Sequence, residues 1–237
     1  MANDFFQFKE FTIHQARSAM RVTTDACILG AWVAKHFSNH NHVLDIGSGT
    51  GLLLLMMAQQ MPVRFTGVEL NEDAYHESLS NIAGSVWEHR IKVIHEDIRR
   101  HNTAKSYDLI VSNPPFYEHD LKRPNAAQNQ AMHGSALTLQ ELVDVVDKLL
   151  NQEGEAIFLL PPHRMELFAN LMQQAGLFEK KTLTVKHSRN HATLRSISVF
   201  SRSVSDKKGM ETLIIRESDD SYTDEFRGLM KPYYLFI

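Results

Sequence analysis

The feature that most constrains the fold is an alternation of strand-like and helix-like segments between residues 42 and 176. Short apolar runs predict strands at residues 42–46, 64–70, 91–95, 107–111 and 156–160. Apolar residues at helical spacing predict helices at residues 52–60, 72–83, 137–150 and 165–175, and Gly176 is placed to end the last of them. Repeated strand–helix units of this kind predict a parallel sheet with helices on both faces.

The pattern changes after residue 176. Residues 182–186 and 194–202 predict two strands with no helix between them, which indicates an antiparallel hairpin closing one edge of the sheet. Residues 211–216 are a candidate for one more strand, and residues 223–230 for a short terminal helix. The fold class is therefore α/β, with a doubly wound, seven-stranded, mostly parallel sheet and an antiparallel C-terminal hairpin.

Composition indicates one globular domain spanning residues 1–237, since 43% of the residues are hydrophobic and 22% are charged.

The N-terminus has no basic stretch before an apolar run, and residues 52–58 form an apolar run far shorter than the ~20 residues of a membrane span. Cys27 has no second cysteine to pair with. His36, His40 and His42 lack supporting carboxylates or cysteines. We therefore expect a cytoplasmic monomer without membrane or metal partners.

A glycine-rich turn follows the first predicted strand of this alternation. Gly47, Gly49 and Gly51 alternate along it, and Asp45 stands two residues before the first glycine. The dinucleotide fingerprint would need a sixth-position glycine where Leu52 stands, so the NAD pattern fails. A carboxylate at Asp45 would repel a pyrophosphate, but it suits a cationic ligand that carries an amino group and a sulfonium.

This turn resembles the first motif of class I S-adenosylmethionine-dependent methyltransferases, and the family's order of residues follows it. The resemblance implies a Rossmann-like fold and S-adenosylmethionine as cofactor. It also implies that Glu69, at the end of the second strand, accepts hydrogen bonds from both ribose hydroxyls. Asp97, after the third strand, would hold the adenine amino group.

A second motif, Asn113-Pro114-Pro115-Phe116, ends the fourth strand. The Asn113 amide oxygen and the Pro114 carbonyl can accept both hydrogens of one planar amine. The two prolines stiffen the backbone, and Phe116 offers a face for a flat base. The motif resembles the catalytic motif of methyltransferases that act on adenine N6, cytosine N4, guanine N2 or protein glutamine.

Stretches along nearly the whole chain are similar to the bacterial tRNA1(Val) adenine-N6-methyltransferase family, which modifies the adenosine beside the anticodon of a valine tRNA. They lie at residues 8–15, 20–25, 29–32, 131–133, 194–202 and 222–226. Residues 1–41 are then expected to be an N-terminal extension that packs by the cofactor and substrate site.

A helix is predicted over residues 24–36 of this extension, with Thr23 or Thr24 as its cap. Two interpretations of Thr24 and Asp25 stay open. They either cap this helix or close over the methionine end of the cofactor.

Charge is distributed unevenly along the chain. The stretch from Lys180 to Lys208 carries +7, which leaves −10 for the rest of a chain of net charge −3. This indicates either a polyanionic partner or a strand edge kept soluble by cations. The candidates for RNA phosphate contacts, each alternatively an ordinary surface residue, are Lys122, Arg123, Arg189 and Arg195. The long polar stretch 116–136 is typical of a functional loop.

Three other functions remain open. A protein glutamine-N5 methyltransferase would usually have Tyr at the position of Phe116 and a separate helical N-terminal domain, for which 41 residues are too few. An rRNA guanine-N2 methyltransferase is compatible with Phe116. A non-catalytic RNA-binding module of the same fold is disfavoured by the intact Asp45, Glu69 and Asn113.

Overall fold

The computed structural model describes residues 3–18, 20–103, 106–114, 137–204 and 208–237. Its strands are β1 (Phe5–Gln7), β2 (Thr12–His14), β3 (His42–Ile46), β4 (Arg64–Glu69), β5 (Ile91–His95), β6 (Tyr107–Ser112), β7 (Leu150–Leu160), β8 (Phe178–Lys186), β9 (Thr193–Ser201) and β10 (Gly209–Ile214). Its α-helices are α1 (Thr24–His36), α2 (Leu52–Gln60), α3 (Glu72–Ala83), α4 (Leu139–Leu149), α5 (Pro162–Gln174) and α6 (Asp224–Met230). Two short 3-10 helices lie at Glu88–Arg90 and Ile98–Arg100.

Eight of the ten described strands form one large sheet in the order β10-β8-β9-β7-β6-β3-β4-β5. β9 runs antiparallel to both of its neighbours, β7 and β8, and the other pairs are parallel. The predicted α/β fold with a mostly parallel sheet is confirmed. Because the order changes direction at β3, the carboxyl ends of β3 and β6 border the crevice where such sheets bind ligands.

The sheet has eight strands in the described residues, one more than the seven predicted. The added strand is β10, the candidate at residues 211–216, which pairs parallel with β8 from Gly209 opposite Lys181 to Ile214 opposite Lys186. The β8–β9 hairpin is present, but it lies inside the sheet and does not close the edge, so that expectation was wrong. β10 takes the edge position beyond the hairpin because Leu213 and Ile215 pack into the same apolar core as α1 and α6.

The core has two layers, one on each face of the sheet. α1, α2 and α6 cover one face, and α4 and α5 cover the other. The predicted buried helix is confirmed, since all residues from Leu52 to Ala58 of α2 are buried. Gly176 ends the last predicted helix of the alternation with a φ of +78°, a left-handed conformation that glycine adopts without strain.

An N-terminal hairpin, formed by β1 and β2, was not predicted. Phe5 pairs with His14, and Gln7 pairs with Thr12. The hairpin is held by aromatic packing, with the rings of Phe8 and Phe11 stacked at 4.6 Å between centroids. Among the described residues, no helix is both long enough and apolar enough to cross a bilayer.

Candidate functional site

The carboxyl ends of β3, β4 and β6 bring the two sequence motifs together. Asp45 lies opposite Val111 of β6 in the strand register. One residue further on, the Ser112 hydroxyl donates a 2.7 Å hydrogen bond to the Ile46 carbonyl. The chain therefore leaves β3 at Gly47 and leaves β6 at Asn113 side by side.

The glycine turn presents bare backbone at this edge. Gly47, Gly49 and Gly51 have φ values of +72°, +53° and +80°, which side chains rarely adopt. A Cβ placed on Gly47 or Gly49 would meet no atom within 4 Å. The space beside these two glycines is thus open to a ligand that contacts the backbone directly.

Glu69 fixes the shape of the turn from the neighbouring strand. Its carboxylate accepts the Gly49 N–H at 2.8 Å with one oxygen and the Asn71 N–H at 2.8 Å with the other. Each oxygen keeps a further lone pair for a ligand, because a carboxylate offers about four acceptor positions. The expected contact with two ribose hydroxyls is therefore compatible with this geometry.

Asp45 is fully buried, and neither of its carboxylate oxygens has a hydrogen-bond partner among the described residues. Burial, with a smaller contribution from the negative charge of Glu69, raises the pKa of this carboxyl to about 8. The buried Ser48 hydroxyl also lacks a partner within the same part of the chain. A cationic amino group would satisfy both, so these residues fit the amino acid end of S-adenosylmethionine.

Gly67 of β4 was not singled out from the sequence, yet it makes room for this site. It lies opposite Asp45 in the strand register. A Cβ there would lie 2.7 Å from Leu54 Cδ1 and 2.9 Å from Ser48 Oγ. The signal in the sequence was a glycine inside a predicted strand, which often marks a close approach of other atoms.

Asn113 directly follows the last residue of β6. Its Oδ1 is buried and has no hydrogen-bond partner among the described residues. Pro114 follows it and is half-buried at the same edge. Pro115 and Phe116 lie outside the described residues, as do Lys122, Arg123 and the stretch 116–136.

Asp97 follows β5 at the expected edge, but its carboxylate is already bonded. It accepts Arg99 Nη2 at 2.6 Å and the Arg99 N–H at 3.0 Å, and it begins the short 3-10 helix. Hydrogen bonds from Arg99 lower the pKa of this carboxyl despite its partial burial. Arg99 also bonds Glu141 of α4 at 3.0 Å. The adenine contact at Asp97 remains a prediction.

The start of α1 differs from the expectation for Thr24 and Asp25. Of the two caps weighed, the N-cap is Thr23, whose hydroxyl accepts the Ala26 N–H at 3.4 Å. Thr24 and Asp25 are the first residues inside the helix, so neither is the N-cap residue. The Asp25 carboxylate nevertheless accepts the Ala26 N–H at 3.0 Å, so it satisfies a free N–H of the first helical turn, as the capping interpretation expects. The Asp25 carboxylate lies 2.8 Å from Arg195 Nε. One candidate cofactor residue and one candidate RNA contact are thus paired with each other, because β9 begins beside the N-terminus of α1.

The basic stretch from Lys180 to Lys208 is largely neutralised in the fold. Carboxylates from other segments form ion pairs with it: Lys181–Glu211 at 2.7 Å, Arg195–Asp25 at 2.8 Å, Arg202–Asp147 at 2.7 Å, Lys208–Glu179 at 2.5 Å and Arg189–Glu217 at 3.8 Å. The Arg189 side chain is 70% exposed, the highest value among these five. The stretch is therefore not one continuous cationic surface.

Comparisons with known proteins agree with this geometry. Residues 27–160 match the family model of the methyltransferase small domain. The chain is 37% identical to the tRNA1(Val) (adenine(37)-N6)-methyltransferase of Pseudoalteromonas translucida, over 97% of this chain and 98% of that protein. It is also 37% identical to the protein of the same name from Cytophaga hutchinsonii, over 99% of both chains.

Two solved structures with a similar fold are described as methyltransferases. A predicted O-methyltransferase from Agrobacterium tumefaciens matches with a TM-score of 0.66 at 14% identity, covering 88% of this chain and 96% of that one. A putative class I S-adenosylmethionine-dependent methyltransferase from Listeria monocytogenes matches with a TM-score of 0.58 at 14% identity, covering 90% and 71%. The chain therefore belongs to the methyltransferase small domain family and to the family of tRNA1(Val) (adenine(37)-N6)-methyltransferases.

Proposed function

We propose that the protein transfers a methyl group from S-adenosylmethionine to the exocyclic N6 amine of an adenosine in tRNA. The substrate named by its relatives is adenine 37 of tRNA1(Val), the adenosine beside the anticodon. One observation carries the proposal. The buried, unpartnered oxygens of Asp45 and Asn113 stand at adjoining strand ends among the described residues, one suited to a cationic cofactor and the other to an amine.

The cofactor side is formed by residues of β3, β4 and the glycine turn. Asp45 meets the cationic amino group, and Glu69 accepts hydrogen bonds from the ribose hydroxyls while it holds Gly49. Gly47, Gly49 and Gly51 let the ligand lie against backbone. Asp97 is proposed to hold the adenine amine, and Thr24 and Asp25 to border the methionine end. The cofactor supplies an electrophilic methyl group bonded to a sulfonium.

The substrate side works by positioning. Asn113 Oδ1 and the Pro114 carbonyl accept the two amine hydrogens, which aims the nitrogen lone pair at the methyl carbon. As the new C–N bond forms and the C–S bond breaks, these oxygens stabilise positive charge on the nitrogen, and one proton then leaves to solvent. Pro115 stiffens the turn, Phe116 stacks on the base, and the adenine is flipped out of the RNA to reach them.

The RNA would be held near this edge by phosphate contacts from Arg189, Arg195, Lys122 and Arg123. Such contacts orient the substrate without reading its sequence. Because transfer RNA is modified where it is made and used, the cytoplasm is the proposed location. We further propose that the protein acts as a monomer and without a metal ion.

The test is a methylation assay with labelled S-adenosylmethionine and total tRNA from a strain that lacks this protein, followed by nucleoside analysis. Label in N6-methyladenosine of tRNA is expected. Label in N2-methylguanosine, in rRNA or in protein would overturn the substrate assignment.

The variant Asn113→Ala separates an enzyme from a non-catalytic RNA-binding module. It removes the amide acceptor but leaves the surface unchanged, so methyl transfer should be lost while tRNA binding is retained. Absence of transfer by the wild-type protein, with tRNA binding intact, would favour the RNA-binding module.

A further inference from the structure

Helix α3 buries three polar side chains that the proposed chemistry does not use. Ser78 bonds within the helix, to the Tyr75 carbonyl, whereas Glu77 and Asn81 bond to other segments. Glu77 is 6% exposed and Asn81 is 3% exposed. They are one helical turn apart and therefore lie on the same face of the helix. Burying polar groups is costly unless their hydrogen bonds are made, so their partners show what they are for.

Asn81 connects the N-terminal hairpin to the glycine turn. Its Oδ1 accepts the His14 N–H at 2.9 Å, and its Nδ2 donates to the His14 carbonyl at 2.9 Å. The same Nδ2 donates to the Thr50 carbonyl at 2.9 Å, and Thr50 lies between the second and third glycines of the turn. One side-chain amide thus joins α3, the end of β2 and the cofactor turn.

Glu77 fixes the residues that follow β2. Its Oε1 accepts the Arg17 N–H at 3.0 Å, and its Oε2 accepts the Ser18 N–H at 2.9 Å and the Ser18 hydroxyl at 2.5 Å. Hydrogen bonds to a carboxylate are stronger than those between neutral groups. The segment is also closed on itself, since the Gln15 side chain accepts the Val22 N–H at 2.8 Å. We call residues 14–18 and 20–22 the N-terminal strap.

The strap connects α3 to α1. It starts on α3 and ends at Thr23, where α1 begins next to Arg195 and the start of β9. Helix α2, which the glycine turn opens, packs against α1, since a Cβ on Gly30 would lie 3.0 Å from Met56 Cβ. The strap therefore spans from α3 to α1 beside the glycine turn.

We propose that Glu77 and Asn81 are positioning residues for the cofactor: they hold the strap as a wall of the S-adenosylmethionine pocket. This inference rests on the proposed function for the identity of the cofactor. Neither side chain touches the ligand. Their effect passes through the backbone of the strap and, for Asn81, through the Thr50 carbonyl.

The main test compares Glu77→Gln with the matched control Glu72→Gln. Glu77→Gln would place an amide NH2 group, itself a donor, opposite the Ser18 N–H and hydroxyl donors. Glu72 lies on the same helix with its side chain 74% exposed, so Glu72→Gln makes the same chemical change without breaking these bonds. Glu77→Gln should raise KM and Kd for S-adenosylmethionine about tenfold, the scale of one lost charge-assisted hydrogen bond, with kcat within about twofold. Glu72→Gln should match the wild type in all three.

A merely structural role gives a different result. Glu77→Gln would then lower the free energy of unfolding in urea while the folded variant keeps the wild-type Kd for S-adenosylmethionine, and that outcome overturns the inference. Failure of the proposed function looks different again. The wild type would bind S-adenosylmethionine without methylating tRNA, and the Kd shift of Glu77→Gln would still support a role for the strap.

A second measurement needs no variant. Arg17 and Arg21 are exposed positions in the strap where trypsin can cut. If the strap is a wall of the pocket, saturating S-adenosylmethionine should slow cleavage after both residues in the wild-type protein. Equal cleavage rates with and without the cofactor would overturn the inference, even if Glu77→Gln fails to fold.

Discussion

Two effects act on the protonation of Asp45 in opposite directions. Its side chain is fully buried, which favours the neutral acid, while a cationic ligand favours the carboxylate. In the ligand-free protein the pKa is raised to about 8. Binding of S-adenosylmethionine should therefore release a proton at neutral pH, because the bound cation stabilises the charged form.

Replacing Asp45 by Asn should flatten the pH dependence of stability. The folded wild type holds a proton from about pH 4 to about pH 8 that the unfolded chain has lost, so its stability falls as pH rises through this window. Asp45→Asn cannot titrate, so its Tm without ligand should exceed that of the wild type at pH 8 and approach it at pH 5. Thermal unfolding at both pH values measures this.

The variant Asp45→Asn should also bind S-adenosylmethionine more weakly than the wild type does. This tests the proposed contact between Asp45 and the amino group. Loss of the charge should weaken S-adenosylmethionine binding about tenfold or more, the scale of a hydrogen bond to a charged group. Calorimetry of the folded variant measures it. Unchanged affinity would show that Asp45 does not contact the amino group.

At the scale of single elements, β4 lies so close to the glycine turn and α2 that Gly67 has no room for a side chain. Gly67→Ala would place a methyl group against Leu54 and Ser48. Overpacking of this kind costs about 1–3 kcal/mol, so the free energy of unfolding should fall by that amount. Displacement of Ser48 should also weaken S-adenosylmethionine binding.

Gly84→Ala is the matched control for this prediction. Gly84 ends α3 with a φ of −77°, and a Cβ there meets only carbonyl oxygens at 3.5 Å and beyond. Its free energy of unfolding should stay within about 0.5 kcal/mol of the wild type, as for surface substitutions in general. Urea unfolding of both variants decides the comparison, and equal stability of the two would contradict the packing argument.

Elements specified by neighbouring residues were predicted from the sequence, and elements that depend on distant contacts were predicted less well or not at all. Strand β3, the glycine turn and helix α2 are specified within one short segment, where apolar periodicity and glycine spacing act locally. Strand β10 was harder to assign, because its pairing with β8 depends on Leu213 and Ile215 reaching a core formed elsewhere. The N-terminal hairpin depends in the same way on aromatic contacts with the C-terminus, such as Phe6 with Tyr234.

At the scale of the whole molecule, folding brings cations of the basic stretch next to carboxylates from other parts of the chain. Lys181, Arg202 and Lys208 form ion pairs of 2.5–2.7 Å with carboxylates from other elements. Arg189 lies farther from its partner, 3.8 Å from Glu217, and its side chain stays 70% exposed at the turn between β8 and β9. That turn lies at the same edge of the sheet as Asn113, because β8 runs parallel to β6 and β7. A charge near the site and open to solvent is the better candidate for a phosphate contact.

Variants of these cations should therefore affect tRNA unequally. Arg189→Gln should raise KM for tRNA and reduce its dependence on salt, since one phosphate contact is lost. The triple variant Lys181→Gln, Arg202→Gln, Lys208→Gln removes three charges that are already paired, so KM for tRNA should stay within about twofold. Steady-state assays at two salt concentrations measure both, and a larger effect of the triple variant would restore the stretch as a binding surface.

The sequence by itself determined the alternating α/β architecture, the glycine turn with Asp45, and the Asn113 motif at the end of a strand. These features are local, because backbone preference, hydrophobic period and motif spacing are all set within a few residues. Only the tertiary structure decided that Asp25 pairs with Arg195, that Gly67 meets Ser48, and that Glu77 and Asn81 hold the N-terminal strap. Those contacts join residues far apart in the chain, and packing alone brings them within hydrogen-bonding or van der Waals distance.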